Sequence, residues 1–346
     1  MHGVLTNGPF NENPRCVAEF ADRLRHSRTP YHSASIRHYS GSTGPTSTPK
    51  KLNVALYLTG AGVAVAGSGY YFFTSQSAAT TTAVAAPPKQ EKSPLDPKNF
   101  VNFKLKKVIP YNHNTSTFVF ELPDNQASLL PVASCVVVKS SDPEALKDDK
   151  GKPIIRPYTP TSHPDLIGEL HFLIKKYDNG NASKYIHSLK VGDTLGIKGP
   201  ISKFPYQLNQ FEEVALIGGG SGITPLYQIL DYALPDKNNK TKFKLIFANT
   251  TEKDILLRER FDEFKKNYPD KFDVVYIIEK GDKNWKGDLG YITKDTIKKH
   301  VAPASAGDKV KVFVCGKLAA VAGKKAGYDQ GEIGGILKEL GYSSDQ

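Results

Sequence analysis

A glycine-rich turn between an apolar run and a helix start constrains the fold of this chain more than any other feature. Residues 211–217 read as a short buried strand, residues 218–222 supply the turn, and Pro225 stands at an early helix position that needs no amide hydrogen. Together these parts deliver backbone amides to a pyrophosphate. The spacing differs from the G-x-G-x-x-G fingerprint, so it does not predict a standard Rossmann site, and a turn that uses glycine only for tight packing is the alternative.

Strands and helices alternate from this turn onward. The predicted strands are residues 211–217, 243–248, 272–279 and 311–315, and the helices that follow them start at residue 225 or span residues 256–268, 293–300 and 332–340. Such alternation predicts a parallel sheet covered by helices, with ligands at the carboxyl ends of the strands.

The preceding region has short strands without intervening helical patterns. These are residues 102–109, 117–122, 134–140, 169–176 and 194–198, punctuated by Pro, Gly and Asn. The pattern predicts a small antiparallel β-barrel ahead of the parallel sheet.

A second motif, Arg156-Pro157-Tyr158-Thr159, lies in the barrel region. The proline biases Arg156 towards an extended conformation, from which its guanidinium can reach a phosphate. An aromatic ring beside a hydroxyl suits a flat heteroaromatic ligand, which needs a stacking partner and a polar contact at its edge. Taken alone, so short a motif more often marks a β-turn that carries a surface arginine.

The N-terminal residues have the composition of a targeting segment followed by a membrane anchor. Residues 1–50 combine five arginines with many Ser, His and Thr residues, which is typical of a mitochondrial targeting segment. Residues 52–73 carry no charge and are long enough to cross about 30 Å of hydrocarbon, so they predict a transmembrane helix, with a buried core helix as the alternative. Residues 74–94, rich in Ala, Thr and Pro, predict a flexible tether.

Charge and cysteine content narrow the classes of partner. The formal charge is +11, and residues 1–51 hold seven Arg or Lys against three acidic residues, which leaves +7 for the rest of the chain. A basic body attracts an acidic partner or an anionic membrane surface, with a solvated face as the alternative. Three cysteines give neither a disulfide framework nor metal-ligand spacing, so we expect no metal. As partners we expect a haem protein and a membrane, and no nucleic acid.

Several motifs in order resemble a known family. They are residues 156–160, 180–183, 199–200, 218–225, 247–258 and 314–316. In this order they resemble the flavoprotein pyridine-nucleotide reductases of the ferredoxin reductase type and, within them, the NADH-cytochrome b5 reductases of fungal mitochondria, over residues 95 to 342. The resemblance implies an FAD-binding barrel at residues 95–208, an NADH-binding α/β domain at residues 209–346, and transfer of hydride from NADH to FAD and then of single electrons to cytochrome b5.

The resemblance also implies roles for individual residues. Arg156 neutralises the flavin pyrophosphate, Tyr158 packs on the flavin ring and Thr159 touches its reactive edge. Thr224 and Cys315 lie where nicotinamide meets flavin, and Thr159 and Cys315 are the candidate catalytic residues. Without the resemblance, a small buried residue at a strand end would be the favoured interpretation of Cys315. The other implied cofactor contacts are Gly180, Asn181, Ala182, Ser183, Gly218, Gly219, Gly220, Ser221, Gly222, Ile223, Pro225 and Gly316.

Nucleotide choice follows from Glu279, at the end of the third predicted strand of the α/β domain. The family places there the group that meets the adenosine ribose. A carboxylate accepts hydrogen bonds from ribose hydroxyls and repels a ribose phosphate, so NADH is expected over NADPH.

The chain departs from the family pattern after Gly316, where Lys317-Leu318 stands in place of two prolines. Two other functions therefore stay open: a reductase of the same fold that serves another acceptor, and a tethered, non-catalytic relative with an impaired nicotinamide site. The expected location is a mitochondrial membrane, with the outer membrane favoured over an inner-membrane or intermembrane-space form.

Overall fold

The structure, a computed structural model, describes residues 92–123, 126–323 and 332–346. The predicted targeting segment, the predicted membrane helix and the tether up to residue 91 lie outside these residues. Residues Pro88–Gln346 form one compact unit. Within the described ranges, no helix has the length and apolar character needed to span a bilayer.

An antiparallel barrel forms the first half of this unit, as predicted. Its strands are β1 (Val101–Pro110), β2 (Thr115–Glu121), β3 (Ser134–Ser140), β4 (Arg156–Tyr158), β5 (Glu169–Lys175) and β6 (Thr194–Ser202), in the order β4-β3-β6-β1-β2-β5. Alternate side chains point into one core around Phe118, Phe120 and Phe172. Helix α1 (Asn181–Ser188) closes this core with Ile186, which is 1% exposed.

A five-stranded parallel sheet forms the second half, again as predicted. Its strands are β7 (Glu213–Gly219), β8 (Lys242–Asn249), β9 (Phe272–Ile278), β10 (Asp288–Leu289) and β11 (Val310–Cys315), and its helices are α2 (Ile223–Ala233), α3 (Arg258–Asn267), α4 (Lys294–His300), α5 (Ala319–Ala322) and α6 (Gly335–Glu339). One core beneath α2 and α3 contains Leu216, and another beneath α4 to α6 contains Ile217. Helices therefore cover both faces of the sheet, because successive residues of β7 point to opposite sides.

The predicted helix starts differ from the structure: α2 begins at Ile223 rather than residue 225, α4 begins at Lys294 rather than residue 293, and two larger differences have clear causes. The helix predicted at residues 256–268 begins at Arg258, because Leu257 adopts a left-handed conformation (φ 58°) as the residue before it. Leu256 and Leu257 are buried, so these hydrophobic residues belong to a loop that turns into the core and not to the helix. The helix predicted at residues 332–340 is shorter, because Gly335 has a φ of 58° at its first position.

The barrel and the parallel sheet are joined by a partly buried ion pair. Lys175 Nζ, at the end of β5, lies 2.8 Å from Asp254 Oδ1, and His113 Nε2 lies 3.6 Å from the same oxygen. The other oxygen of Asp254 accepts hydrogen bonds from the amide and hydroxyl of Thr251. Burial alone raises the pKa of Asp254, but the Lys175 and Thr251 hydrogen bonds and nearby positive charge outweigh it and hold the pKa below its usual value.

A tyrosine makes a second connection beside this ion pair. Tyr111 Oη accepts a hydrogen bond from the Leu257 amide at 2.7 Å and donates one to Glu259 Oε2 at 2.9 Å. Asn112 Nδ2 donates to the carbonyl oxygen of Lys253 at 2.9 Å. The turn between β1 and β2 therefore holds the segment that leads into α3.

Candidate cofactor site

The order of the parallel strands places the candidate site. The chain runs from β7 to β8, β9 and β10 on one side and returns to the other side of β7 with β11. Ligands bind such sheets at the carboxyl ends of the strands, where the strand order reverses. Gly218 pairs with Cys315 at this point. The fold thus brings together two segments that the sequence analysis singled out separately.

These two segments touch through their backbones. A Cβ added to Gly222 would lie 2.5 Å from the Cys315 carbonyl carbon and 2.6 Å from the Gly316 nitrogen. Gly316 has a φ of 118°, and a Cβ there would lie 3.0 Å from the Gly219 Cα. Glycine is required at both positions, because each turn occupies the space that a side chain on the other would need.

The start of α2 presents amides beside these turns. Gly220 adopts a φ of 53° in the 3₁₀ turn Gly220–Gly222, which leads directly into the helix. The side chains of Ile223 and Thr224 are buried, at 0% and 7% exposure, while Pro225 is the third helical residue. The Ile223 side chain lies in the core, so only its backbone remains to meet a cofactor.

A second amide-rich turn opens helix α1. Gly180 is the residue before the helix, and Ser183 Oγ donates to its carbonyl oxygen at 3.0 Å. A Cβ on Gly180 would lie 2.5 Å from that hydroxyl. The first amides of a helix have no partner within it and attract anions, so Asn181 can bind phosphate through its backbone. Ala182 packs its methyl group in a small apolar cluster and also offers only its backbone.

Strand β4 holds the arginine and the tyrosine of the second motif. Its pairing with β3 places Arg156 opposite Val138 and Tyr158 opposite Val136. Arg156 is exposed, and its Nη1 donates to the Ile155 carbonyl oxygen at 2.9 Å. Burial raises the pKa of Tyr158 to about 12, although the charge of Arg156 opposes this. The phenol therefore stays protonated at neutral pH and can donate a hydrogen bond, and half-buried Thr159 follows directly.

Tyr177 links the two halves of the site, and the sequence analysis missed it. Its hydroxyl lies 2.6 Å from Ser221 Oγ in the glycine-rich turn, and its amide donates to Ser183 Oγ at 3.1 Å. The phenol is also close enough to Tyr158 to contribute to the raised pKa of that residue. An aromatic residue directly after a predicted strand and three positions before Gly180 was the available signal.

The segment that departs from the family pattern packs onto this site. Leu318 covers the glycine-rich turn, because a Cβ on Gly219 would lie 3.2 Å from Leu318 Cγ. Lys317 Nζ lies 5.6 Å from the centre of the Tyr177 ring. The substituted residues thus contact both halves of the site rather than leaving a gap beside Gly316.

Glu279 lies at the same edge of the sheet, further from the glycine-rich turn. It is exposed, directly follows β9, and its amide donates to the Asn249 carbonyl oxygen at 3.0 Å. Strand β8 separates it from β7. Asn249 is 6% exposed, and neither polar atom of its side chain has a partner among the described residues. Asn249 lies within the motif at residues 247–258, but its sequence position gave it no role; its buried amide is available to a ligand along the carboxyl edge.

A cleft of about 460 Å³ lies away from these residues, beside β9 and β10. Tyr276, Trp285 and Arg258 line it, and none of the predicted cofactor residues does. The arrangement of turns and amides, rather than this cleft, therefore defines the candidate site.

Comparisons with known proteins agree with this arrangement. Residues 102–206 match the oxidoreductase FAD-binding domain, and residues 216–324 match the oxidoreductase NAD-binding domain. The first match covers the barrel with Arg156 and α1, and the second covers the parallel sheet with both glycine turns.

Individual proteins are similar over most of their length. NADH-cytochrome b5 reductase 2 of Mycosarcoma maydis is 48% identical over 260 residues, which are 74% of this chain and 74% of that protein. NADH-cytochrome b5 reductase 2 of Pyricularia oryzae is 40% identical over 317 residues, 90% of this chain and 94% of that protein. Among solved structures, the cytochrome b5 reductase domain of Ulva prolifera nitrate reductase is 25% identical with a TM-score of 0.63, covering 73% of this chain and 97% of that domain.

Proposed function

Because this chain belongs to the NADH-cytochrome b5 reductase family and is an NADH-dependent flavoprotein oxidoreductase, we propose that it passes electrons from NADH through FAD to cytochrome b5. We further propose that it does so while anchored to a mitochondrial membrane. The observation that carries the proposal is the contact between the turn at Gly222 and the turn at Cys315, linked through Tyr177 to the start of α1. Together these contacts place the glycine-rich turn and the start of α1, which can both bind anions, at one site.

The barrel residues fit FAD. The exposed guanidinium of Arg156 and the amides at Gly180 and Asn181 supply the positive charge and the donors that a pyrophosphate needs. Tyr158 offers a ring face and a protonated hydroxyl, and Thr159 a second hydroxyl. When bound, FAD accepts a hydride and releases electrons singly.

The parallel-sheet residues are proposed to receive NADH. Gly220 leaves room for the nucleotide pyrophosphate to approach the backbone, since a Cβ there would meet only Tyr177 Oη, at 4.0 Å. Gly218 and Gly219 shape the turn in front of it by packing closely against Leu226 and Leu318. Thr224 and Cys315 flank the point where the strand order reverses and position the nicotinamide against the flavin. Glu279 lies along the same edge and selects NADH by accepting hydrogen bonds from the ribose.

The membrane anchor is the uncharged run at residues 52–73, flanked by Lys50 and Lys51. The arginine-rich residues before it support delivery to the mitochondrion, with the outer membrane as the proposed site. The remaining charge of +7 supports attraction of an acidic haem protein, and tethering raises the local concentration of both partners.

Anaerobic spectroscopy of the full chain in detergent tests the function. We expect NADH to bleach the flavin absorbance and cytochrome b5 to restore it, more slowly as ionic strength rises, because screening shortens to about 10 Å at 0.1 M salt. Ferricyanide needs no docked protein surface and serves as the control acceptor. Bleaching with restoration by ferricyanide but never by cytochrome b5 would refute the proposed acceptor, and a flavin that NADH does not bleach would refute catalysis.

A further inference from the structure

Two lysines share one aromatic ring on the outside of the barrel. Lys139 Nζ lies 4.7 Å and Lys198 Nζ 5.0 Å from the centre of the Phe100 ring. All three residues are half-buried. In the part of the chain that the structure describes, neither ammonium group has an ion-pair partner. Both like charges lie within about 10 Å of each other, and a nearby anion relieves their repulsion.

The strand register shows which way this surface faces. Lys198 pairs with Val137, which also pairs with Pro157, so these side chains share one face of the sheet. Arg156 and Tyr158, the residues on either side of Pro157, point to the opposite face. The surface formed by Phe100, Lys139 and Lys198, here called the basic face, therefore lies on the far side of the strands from the proposed flavin contacts.

The segment of the chain around Phe100 is also basic. Residues 92–107 hold five lysines and one aspartate, Asp96. The Asp96 carboxylate accepts hydrogen bonds from the amides of Lys98 and Asn99. Phe100 follows the proposed tether by only a few residues. Lysines clustered beside a membrane anchor are attracted to anionic lipid, and an aromatic ring among them suits the lipid–water interface.

We infer that the basic face rests on an anionic phospholipid surface and orients the barrel on the membrane. The inference relies on the membrane attachment proposed above. A haem protein is the less suitable occupant, because electrons leave from the flavin and this face points away from the residues proposed to hold it. The opposite side of the barrel then stays accessible to the acceptor.

A protease site placed within residues 74–91 of the full chain separates the basic face from the anchor. The protein folds as the full chain and is then cut. The part C-terminal to the cut, here called the cut body, is mixed with vesicles of phosphatidylcholine alone or with phosphatidylserine added, and its binding is measured by flotation of the vesicles in a density gradient. We expect retention only on the anionic vesicles, at low ionic strength. Replacing both lysines, Lys139→Gln with Lys198→Gln, should weaken partitioning about 25-fold, at about fivefold for each charge.

A matched pair, Lys237→Gln with Lys240→Gln, removes the same charge from exposed positions of the α/β domain and should retain near-wild-type binding. Equal release of the cut body from both vesicle types would overturn the inference. So would an equal loss in the matched pair, since net charge alone would then explain retention. Retained vesicle binding with slower transfer to soluble cytochrome b5 in the Lys139 and Lys198 variant would identify a protein-docking surface instead. Failure of the uncut chain to float with neutral vesicles refutes only the anchor.

Discussion

Replacing Gly222 by alanine should slow hydride transfer without removing flavin. The new Cβ would lie 2.5 Å from the Cys315 carbonyl carbon, whereas ordinary contact begins near 3.4 Å, so the two turns must separate by about 1 Å. The new Cβ meets the Cys315 carbonyl carbon and the Gly316 nitrogen, which are backbone atoms and cannot rotate away as a side chain could. A misplacement of this size costs about 100-fold in rate when it shifts reacting groups, and overpacking costs about 1 to 3 kcal/mol of stability.

Stopped-flow measurement of flavin bleaching by saturating NADH reports this step directly, and flavin content after denaturation reports occupancy. The matched control is Gly218→Ala, whose Cβ meets side-chain atoms and no backbone: Leu226 Cδ1 at 3.1 Å, and Ile223 Cδ1 and Phe247 Cδ2 at 3.4 Å. Only the Leu226 methyl group must shift, by a few tenths of an ångström, so a much smaller loss is expected. A folded, flavin-loaded Gly222→Ala protein that bleaches at the wild-type rate would show that this backbone contact does not position the nucleotide.

Three further substitutions probe other parts of the site. Arg156→Ala should weaken FAD binding about tenfold or more, and Arg156→Lys less, because a point charge replaces a forked donor; equal flavin retention in a dialysis assay would contradict this. Glu279→Ala should narrow the preference for NADH over NADPH, and an unchanged ratio of kcat/KM values would place discrimination elsewhere. Asp254→Asn should destabilise the protein by about 2 kcal/mol at pH 7, since half-buried Lys175 loses a charge-assisted hydrogen bond to its partner. Because the pKa of Asp254 is lowered in the folded protein, the stability it contributes is fully present above the unfolded pKa of 3.8 and is lost as pH falls through the lower folded pKa. The difference in unfolding free energy between wild type and variant, measured by urea denaturation, should therefore shrink as pH falls below about 4, and a constant difference would refute the assignment.

The sequence predicted both halves of the fold because each has a regular period. Alternating residues of the barrel strands and the repeated strand–helix pattern need no tertiary information. Strand β10 was missed because two residues carry no period, and they are held in place by pairing with Ile277 and Ile278. Leu257 was misread because its hydrophobicity fits a helix, whereas its backbone is left-handed and its amide donates a hydrogen bond to Tyr111, far away in the sequence.

Sequence alone indicated those residues of the candidate site whose backbone conformation depends on the residue type. Runs of glycine are typical of tight turns without side chains, so Gly218, Gly222 and Gly316 could be singled out from the sequence. Tyr177 offered only a weak signal, its place directly after a predicted strand, because its contact with Ser221 joins residues distant in the chain. Nothing local distinguishes Asn249, whose buried amide has no polar partner among the described residues. Their proposed roles, like those of Thr159 and Cys315, stay predictions.

The ion pair between Lys175 and Asp254 limits how freely the two halves can be recombined. Asp254 also closes the hydrogen-bonded turn with Thr251, so one carboxylate serves its own domain and its neighbour at once. A chimera that takes the barrel from one reductase and the parallel sheet from another inherits a working junction only if both donors carry matching partners. A domain exchange at residue 208 therefore also requires that the barrel and the parallel sheet carry residues that can form the Lys175–Asp254 ion pair.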